Sequence, residues 1–251
     1  MDNLREKIPL DRGIMPACDV SAMWMLDRLV LGTCNVPGIV GYKIGMSLTE
    51  RFGVPAVVKR IRQQTSLPVI WDRQKAATDI PDIGEDFALI AADSEVDGVI
   101  LFPQAGPATL RAWLEACNFW PIPVIVGLRM THKEYTQSEG GWIADGATKE
   151  AFQIAVDGGV TEFVVPGNKP EAVTDLMNFV KAKVDRPRAW SPGLISQGGD
   201  ITAAGVAAGE FFVGIIGRAL TELITTPRGT SVEKIEARAY QLVSQILPAT
   251  A

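Results

Sequence analysis

Short apolar segments alternate along the chain with longer segments in which apolar residues recur every three or four positions. Runs rich in β-branched and aliphatic residues, bounded by Gly, Pro, Asp or Asn, predict strands at 14–19, 39–44, 68–72, 98–102, 123–128, 162–165, 188–191 and 210–215. The periodicity of amphipathic helices is found between them, for example at 82–95, 107–118, 148–157 and 169–184. The starts of these four helices carry typical helix-start residues, namely Asp82, Pro107, Thr148 and Pro170.

The regular spacing of these units predicts the architecture. The strand starts, from 14 to 210, are separated by a mean of about 28 residues, which is the length of one strand, a turn and a helix. Eight such units predict a closed α/β structure, a single (β/α)8 TIM barrel that spans residues 1–251 as one domain. A last amphipathic segment at 231–247 is expected to pack outside the barrel as a C-terminal helix.

The longest interval between two predicted strands follows strand five. Residues 127–147 are polar and rich in glycine, and a long loop at the carboxyl end of a barrel strand is typical of an active-site lid. Two aromatic residues of this loop, Tyr135 and Trp142, either cover a ligand or pack within the loop.

Composition and charge narrow the classes of function. The 251 residues are 47% hydrophobic and 21% charged, which is typical of a globular protein and excludes a disordered chain. With 24 Lys and Arg against 29 Asp and Glu the formal net charge is −5, so we expect neither a nucleic acid nor a membrane as partner. Three cysteines without a CxxC pair and one histidine, His132, disfavour a zinc site. No signal peptide or membrane span is predicted, and a cytoplasmic location is expected.

Charged residues cluster where the first three predicted strands end. Asp19 ends strand one, Lys43 is at the end of strand two, and Asp72, Lys75 and Asp79 end or follow strand three. Because barrel enzymes carry their active site at the carboxyl ends of the strands, we expect these side chains to form one array of alternating charge. Such an array holds a lysine protonated, positions it as a general acid and stabilises charge that develops on a substrate. A solvated surface turn is the competing interpretation of the segment after strand three.

Glycine-rich segments follow the last two predicted strands. Gln197, Gly198 and Gly199 precede one helix, and Gly217 and Arg218 open the next. Backbone amides at helix starts attract phosphate, barrels often bind phosphate after strands seven and eight, and arginine binds phosphate in a bidentate manner. The joint placement of the two segments therefore predicts a phosphate site.

Several short motifs occur in a fixed order along the chain. They are Ala17-Cys18-Asp19-Val20, Tyr42-Lys43-Ile44-Gly45, the stretch from Asp72 to Pro81, Met130-Thr131-His132, Ser191-Pro192-Gly193, Gln197-Gly198-Gly199-Asp200 and Gly217-Arg218. Together they resemble the orotidine 5′-phosphate decarboxylase family over most of the chain. The resemblance implies a homodimeric lyase that decarboxylates orotidine 5′-monophosphate (OMP) to UMP in de novo pyrimidine synthesis, with neither a cofactor nor a metal.

The same resemblance implies roles for individual residues. Lys75 donates the proton that replaces the departing carboxylate, and it belongs to a charged network with Lys43, Asp72 and Asp79. Asp79 and Ile80 enter the site from the partner subunit. The implied substrate contacts are Asp19 and Lys43 for the ribose, Thr131, Ser191 and Pro192 for the pyrimidine, and Gln197, Gly198, Gly217 and Arg218 for the phosphate.

One departure from the family pattern leaves alternatives open. The usual spacing Asp-x-Lys-x-x-Asp is here Asp72-x-x-Lys75-x-x-x-Asp79, which requires a bulged turn to preserve the geometry. One alternative is a metal-dependent sugar-phosphate decarboxylase or aldolase of the same superfamily. It predicts acidic metal ligands near strand two, where this sequence has Lys43. The other alternative is a barrel that binds a nucleotide without catalysis.

Overall fold

Eight parallel strands form the centre of the molecule. The computed structural model describes residues 4–73, 79–226 and 231–246. The strands are β1 (Arg12–Pro16), β2 (Tyr42–Ile44), β3 (Val69–Asp72), β4 (Gly98–Leu101), β5 (Val124–Val126), β6 (Glu162–Val164), β7 (Arg188–Ser191) and β8 (Phe212–Ile216). Each of them overlaps a segment that the sequence predicted as a strand.

The sheet closes on itself. Its strand order is β1-β8-β7-β6-β5-β4-β3-β2, and β1 reaches β2 through two parallel bridges, Ile14 with Ile39 and Ala17 with Lys43. Closure removes the open strand edges that an unclosed sheet would expose. The predicted (β/α)8 barrel is confirmed.

Helices follow the strands and cover the outside of the barrel, except for the first one, which precedes β1. They are α1 (Leu4–Lys7), α2 (Met23–Leu31), α3 (Met46–Phe52), α4 (Val54–Arg62), α5 (Gly84–Asp93), α6 (Pro107–Phe119), α7 (Ala147–Asp157), α8 (Pro170–Lys181), α9 (Ile201–Ala208), α10 (Arg218–Thr221) and α11 (Val232–Ile246). Within the described part of the chain, no helix has the length and apolar character needed to cross a membrane.

Two of the four predicted helix starts differ in detail. Pro107 and Pro170 begin α6 and α8, where a missing N–H costs no hydrogen bond. Asp82, by contrast, lies in a 3-10 turn before α5 and forms no cap. Thr148 is the second residue of α7, and its hydroxyl donates to the backbone oxygen of Leu128 at 3.3 Å. That side chain therefore ties the helix to the end of β5 instead of capping it.

The apolar core has an inner and an outer layer. Alternate strand residues such as Met15, Ile70 and Ile125 fill the barrel interior, while the others pack against the surrounding helices. Leu4 of α1 and Ile8 join the inner layer. Leu4 also lies beside the first residue of β4, so α1 covers the amino-terminal end of the barrel. The carboxyl ends of the strands are left as the open end.

The long loop after β5 is held to the barrel by Tyr135. This side chain is buried, its ring meets Phe102 edge-on with centroids 6.4 Å apart, and its hydroxyl accepts a hydrogen bond from Gln104 at 3.0 Å. Tyr135 thus packs against residues that follow β4, and within its own loop its ring meets His132 edge-on with centroids 5.6 Å apart. Trp142 in the same loop is 96% exposed.

Candidate active site

A cavity of about 180 Å³ lies at the carboxyl ends of the strands. Its walls come from the ends of β1, β2 and β5 to β8 and from the loops that follow them. Most of the predicted substrate-binding residues line it, namely Asp19, Lys43, Thr131, Pro192, Gln197, Gly217 and Arg218.

Lys43 lies between two carboxylates at one side of this cavity. Its Nζ is 2.7 Å from Oδ2 of Asp72 and 3.2 Å from Oδ1 of Asp19. The side chains of Lys43 and Asp72 are only 4% and 2% exposed, whereas that of Asp19 is 38% exposed and faces the cavity. We call these three residues the lysine-centred triad.

The charges of the triad decide the protonation of Lys43. Burial alone lowers the pKa of an ammonium, because the charged form loses its hydration. The carboxylates of Asp72 and Asp19 outweigh that effect, and the pKa of Lys43 is raised above its ordinary value. The two carboxylates therefore favour the charged form of Lys43 between the ends of β1 and β3, which suits a positioning role better than the donation of a proton.

Asp79, a further member of the predicted charged network, does not line this cavity. Lys75 lies outside the described residues. Asp79 and Ile80 lie on the outer surface, where their backbone oxygens accept hydrogen bonds from Thr109 at 2.9 Å and Trp113 at 3.2 Å, both residues of α6. The Ile80 side chain is 57% exposed. A contribution of Asp79 and Ile80 to a partner's site stays a prediction.

The predicted phosphate residues line the wall formed by the loops after β7 and β8. Gln197, Gly217 and Arg218 all line the cavity, and Arg218 donates to the backbone oxygen of Ser196 at 3.2 Å. The helix α9 that follows is capped by its own Asp200 carboxylate, which accepts from the backbone N–H of Ala203 at 2.7 Å. An anion at this wall therefore depends on side chains and loop amides more than on the start of α9.

Two predicted residues lie near the cavity without lining it. The hydroxyl of Ser191 is buried and donates to the backbone oxygen of Val165 at 3.1 Å, which leaves the backbone at Ser191 and Pro192 as the part available to a ligand. Gly198 has a φ of +86°, a left-handed conformation that favours glycine, and nothing lies within 4 Å of where its Cβ would be. This conformation fits the turn beside Gln197, and a phosphate contact by Gly198 stays a prediction.

A second group of charges, which the sequence patterns did not predict, borders the cavity. Arg129 lines the cavity three residues after β5, and its Nη2 is 2.8 Å from Oε1 of Glu139. The same oxygen accepts from Nζ of Lys169 at 2.7 Å. The hydrogen bond from Lys169 contributes most to lowering the pKa of Glu139. We call these residues the glutamate-centred triad; the position of Arg129 directly before the Met130-Thr131 motif was the available signal.

Asn168 connects the loops on the two sides of the cavity. Its amide nitrogen donates to the backbone oxygen of Thr131 at 2.9 Å, and the backbone oxygen of Gln197 lies 3.5 Å away. Gly193 lies at the same junction with a φ of +88°, and a Cβ there would be 2.6 Å from the methyl group of Thr131. Only glycine allows the loop after β7 to approach the loop after β5 this closely.

A barrel with this arrangement of charges matches one family model. The model for the orotidine 5′-phosphate decarboxylase / HUMPS family matches residues 17–224, which include both triads. The chain belongs to this family. The resemblance found in the sequence motifs is thereby confirmed, and with it the expectation of a lyase of this family.

Curated relatives in the family cover most of the chain. An orotidine 5′-phosphate decarboxylase of Methanococcus maripaludis (strain S2) is 30% identical over 183 residues, 72% of this chain and 77% of the relative. One of Methanosarcina mazei is 30% identical over 178 residues, 71% of this chain and 74% of the relative.

Solved structures of the family share the fold. The orotidine 5′-monophosphate decarboxylase of Methanocaldococcus jannaschii, complexed with the inhibitor BMP, superposes with a TM-score of 0.77 at 20% identity, over 94% of this chain and 98% of that one. The Pyrococcus horikoshii enzyme gives a TM-score of 0.70 at 21% identity over 92% and 98%.

Proposed function

We propose that the chain is an OMP decarboxylase that converts OMP to UMP and CO2 without a cofactor, as a step of de novo pyrimidine synthesis. The observation that carries the proposal is the buried Lys43 between Asp19 and Asp72, at the side of a cavity that Gln197 and Arg218 also line. Membership of the family supports this reaction.

The phosphate, the ribose and the pyrimidine of the substrate are each assigned to a different group of cavity residues. The phosphate binds at Gln197, Gly217 and Arg218, because arginine and loop amides are the groups that best match a dianion. The ribose hydroxyls contact Asp19 and Lys43, which offer an acceptor and a donor at the adjoining wall, since β1 pairs with β8. Thr131 and the backbone at Ser191 and Pro192 then frame the pyrimidine.

The reaction requires one proton and no redox step. The bond from C6 of the pyrimidine to the carboxylate breaks, CO2 leaves, and the electron pair remains on C6. The Lys75 ammonium donates its proton to C6, and the neutral amine that results takes a proton from water. Fixed charge on Lys43, Asp72 and Asp79 orients Lys75 and holds it protonated. The Lys75 ammonium then stabilises the negative charge that develops on C6, which is the largest contribution expected in such sites.

We also propose that the active unit is a homodimer. Asp79 and Ile80 are fixed on α6 of their own barrel, with the Ile80 side chain exposed, and in this position they are available to a neighbouring copy. In the dimer, Asp79 completes the charged network of the partner's site beside its Lys75.

The activity is tested by following the ultraviolet absorbance of OMP in the presence of the protein. We expect loss of the orotate absorbance with wild type, no turnover with Lys75→Ala, and near wild-type turnover with Lys59→Ala, an exposed lysine of α4. UMP binding should largely survive in Lys75→Ala. Unchanged absorbance with wild type contradicts the proposal, and UMP binding without turnover favours the non-catalytic barrel.

Mixing inactive variants tests the shared site. If Asp79 serves the partner, Lys75→Ala and Asp79→Ala are each inactive, but a mixed dimer contains one site with both residues intact. Random mixing should restore about a quarter of the wild-type sites. No recovery after confirmed subunit exchange contradicts the cross-subunit arrangement.

The metal-dependent sugar-phosphate reaction is kept as the second candidate, because the family model is named for HUMPS proteins as well. It predicts activity on a sugar phosphate that is lost with a chelator and restored by a divalent cation. OMP turnover that is unaffected by a chelator argues against it.

A further inference from the structure

The two triads that border the cavity carry opposite charge balances. In the lysine-centred triad one cation serves two carboxylates, whereas in the glutamate-centred triad Arg129 and Lys169 share the single carboxylate of Glu139. The second triad therefore carries an excess of one positive charge. Its side chains are only 18% to 24% exposed, so that solvent screens this charge less than it would at an open surface.

Arg129 is the member of this triad that faces the ligand. It lines the cavity, whereas Glu139 and Lys169 do not. Its Nη2 is committed to Glu139 and its Nε is buried without a partner, whereas its Nη1 makes no hydrogen bond within residues 4–73, 79–226 and 231–246. A guanidinium has five N–H donors and no acceptor. Arg129 is thus held in place on one side and has donors left for a bound molecule.

The position of Arg129 around the barrel indicates which part of a nucleotide it meets. In the strand order β5 is separated from β8 by β6 and β7, so Arg129 and Arg218 enter the cavity from different sides. A phosphate at Arg218 and a ribose at Asp19 leave the wall after β5 for the base. Thr131, two residues after Arg129, lines the same wall.

We propose that Arg129 is a specificity-determining residue that donates to a ring carbonyl oxygen of the pyrimidine, at the position where uracil has an oxygen and cytosine an amino group. The inference rests on the proposed function and names the base that its site selects. A donor facing the amino group of cytosine finds no acceptor, and leaving buried polar groups unpaired is how such sites reject close analogues. Glu139 is a positioning residue that acts through Arg129.

The test compares the binding of three ligands by calorimetry: UMP, CMP and ribose 5-phosphate. UMP and CMP differ at the base alone, and ribose 5-phosphate lacks it. We expect wild type to prefer UMP over CMP, and Arg129→Met to reduce that preference by about tenfold or more, the value of a hydrogen bond to a charged group. Binding of ribose 5-phosphate should not change. Glu139→Gln should reduce the preference by a smaller factor.

Lys169→Met is the matched control, because it removes the same unit of charge from the triad and leaves the guanidinium in the cavity. It should keep the preference for UMP. Equal loss of the preference in Lys169→Met and Arg129→Met overturns the proposal, since general attraction then explains the effect. If Arg129→Met weakens the binding of UMP and of ribose 5-phosphate equally, the proposal is overturned as well, and Arg129 is assigned to the phosphate.

The failure of this inference can be told from the failure of the proposed function. Wild type that binds UMP tightly, with an unchanged UMP to CMP ratio in Arg129→Met, overturns the role of Arg129 alone. Wild type that binds ribose 5-phosphate but neither pyrimidine nucleotide overturns both. If Arg129→Met does not fold by circular dichroism, Arg129→Lys replaces it, and the shorter point donor should still lower the preference.

Discussion

The two triads beside the cavity use the same chemical groups in opposite proportions. In one, the carboxylates of Asp19 and Asp72 enclose Lys43 at the ends of the first three strands. In the other, Arg129 and Lys169 enclose Glu139 in the loops after β5 and β6. The first carries an excess of negative charge and the second an excess of positive charge.

Their surroundings differ as much as their charge. Lys43 and Asp72 lie on strands of the barrel and are almost fully buried, whereas the members of the glutamate-centred triad lie on loops and keep some contact with solvent. A buried pair is costly to break because the charge that remains lacks hydration, while a partly exposed pair is partly replaced by water. The first triad should therefore fix the structure of the site, and the second should tune what binds there.

The largest effect is expected from Lys43→Met. It removes the cation from between two carboxylates in a region where Lys43 and Asp72 are 4% and 2% exposed. Removing one partner of a buried ion pair typically costs about 3 to 5 kcal/mol. Urea denaturation measures the loss, and adding Asp72→Asn to the variant should recover part of it. A loss below about 1 kcal/mol would show that water reaches the pair.

A smaller effect is expected from Glu139→Gln. The two cations it leaves can turn toward water, so the loss of unfolding free energy should be at most about 1 kcal/mol. The same urea experiment measures it, with Lys149→Met as control, since the Lys149 and Asp175 pair has side chains 41% and 61% exposed. That control should change stability less still. A loss for Glu139→Gln equal to that of Lys43→Met would remove the distinction between the triads.

The smallest effect is expected in how the stabilisation by Glu139 depends on pH. Because Lys169 and Arg129 lower the pKa of folded Glu139 below its ordinary value of 4.5, its contribution is complete above pH 4.5 and is lost as the pH falls through the folded pKa. Because the pKa of Lys43 is raised, the stabilisation by the lysine-centred triad is lost only in the strongly alkaline range. The free energy of unfolding of wild type should exceed that of Glu139→Gln at pH 7, and this difference should shrink as the pH is lowered. If the difference in unfolding free energy does not change with pH, the ionised carboxylate of Glu139 is not the source of the stabilisation.

Sequence patterns predicted the barrel and most of the cavity wall. All eight strands were found because short β-branched runs between turn residues are local signals. The cavity was predicted because barrel strands present their carboxyl ends to one face, where the structure places Asp19, Lys43, Gln197 and Arg218. The glutamate-centred triad was missed. Glu139 follows the polar residues 136–138 and Lys169 follows Asn168, so nothing in the pattern separates them from solvated neighbours.

The sequence alone determined which residues are available at the open end of the barrel, because strand and helix periods depend on neighbours a few positions apart. Only the tertiary structure decided their partners. Lys43 is 24 residues from Asp19 and 29 from Asp72, and Glu139 is 30 from Lys169. Such pairs form only after neighbouring strands pair and bring their carboxyl ends together. Their charge balance depends on which side chains then meet, and burial sets the strength of each contact.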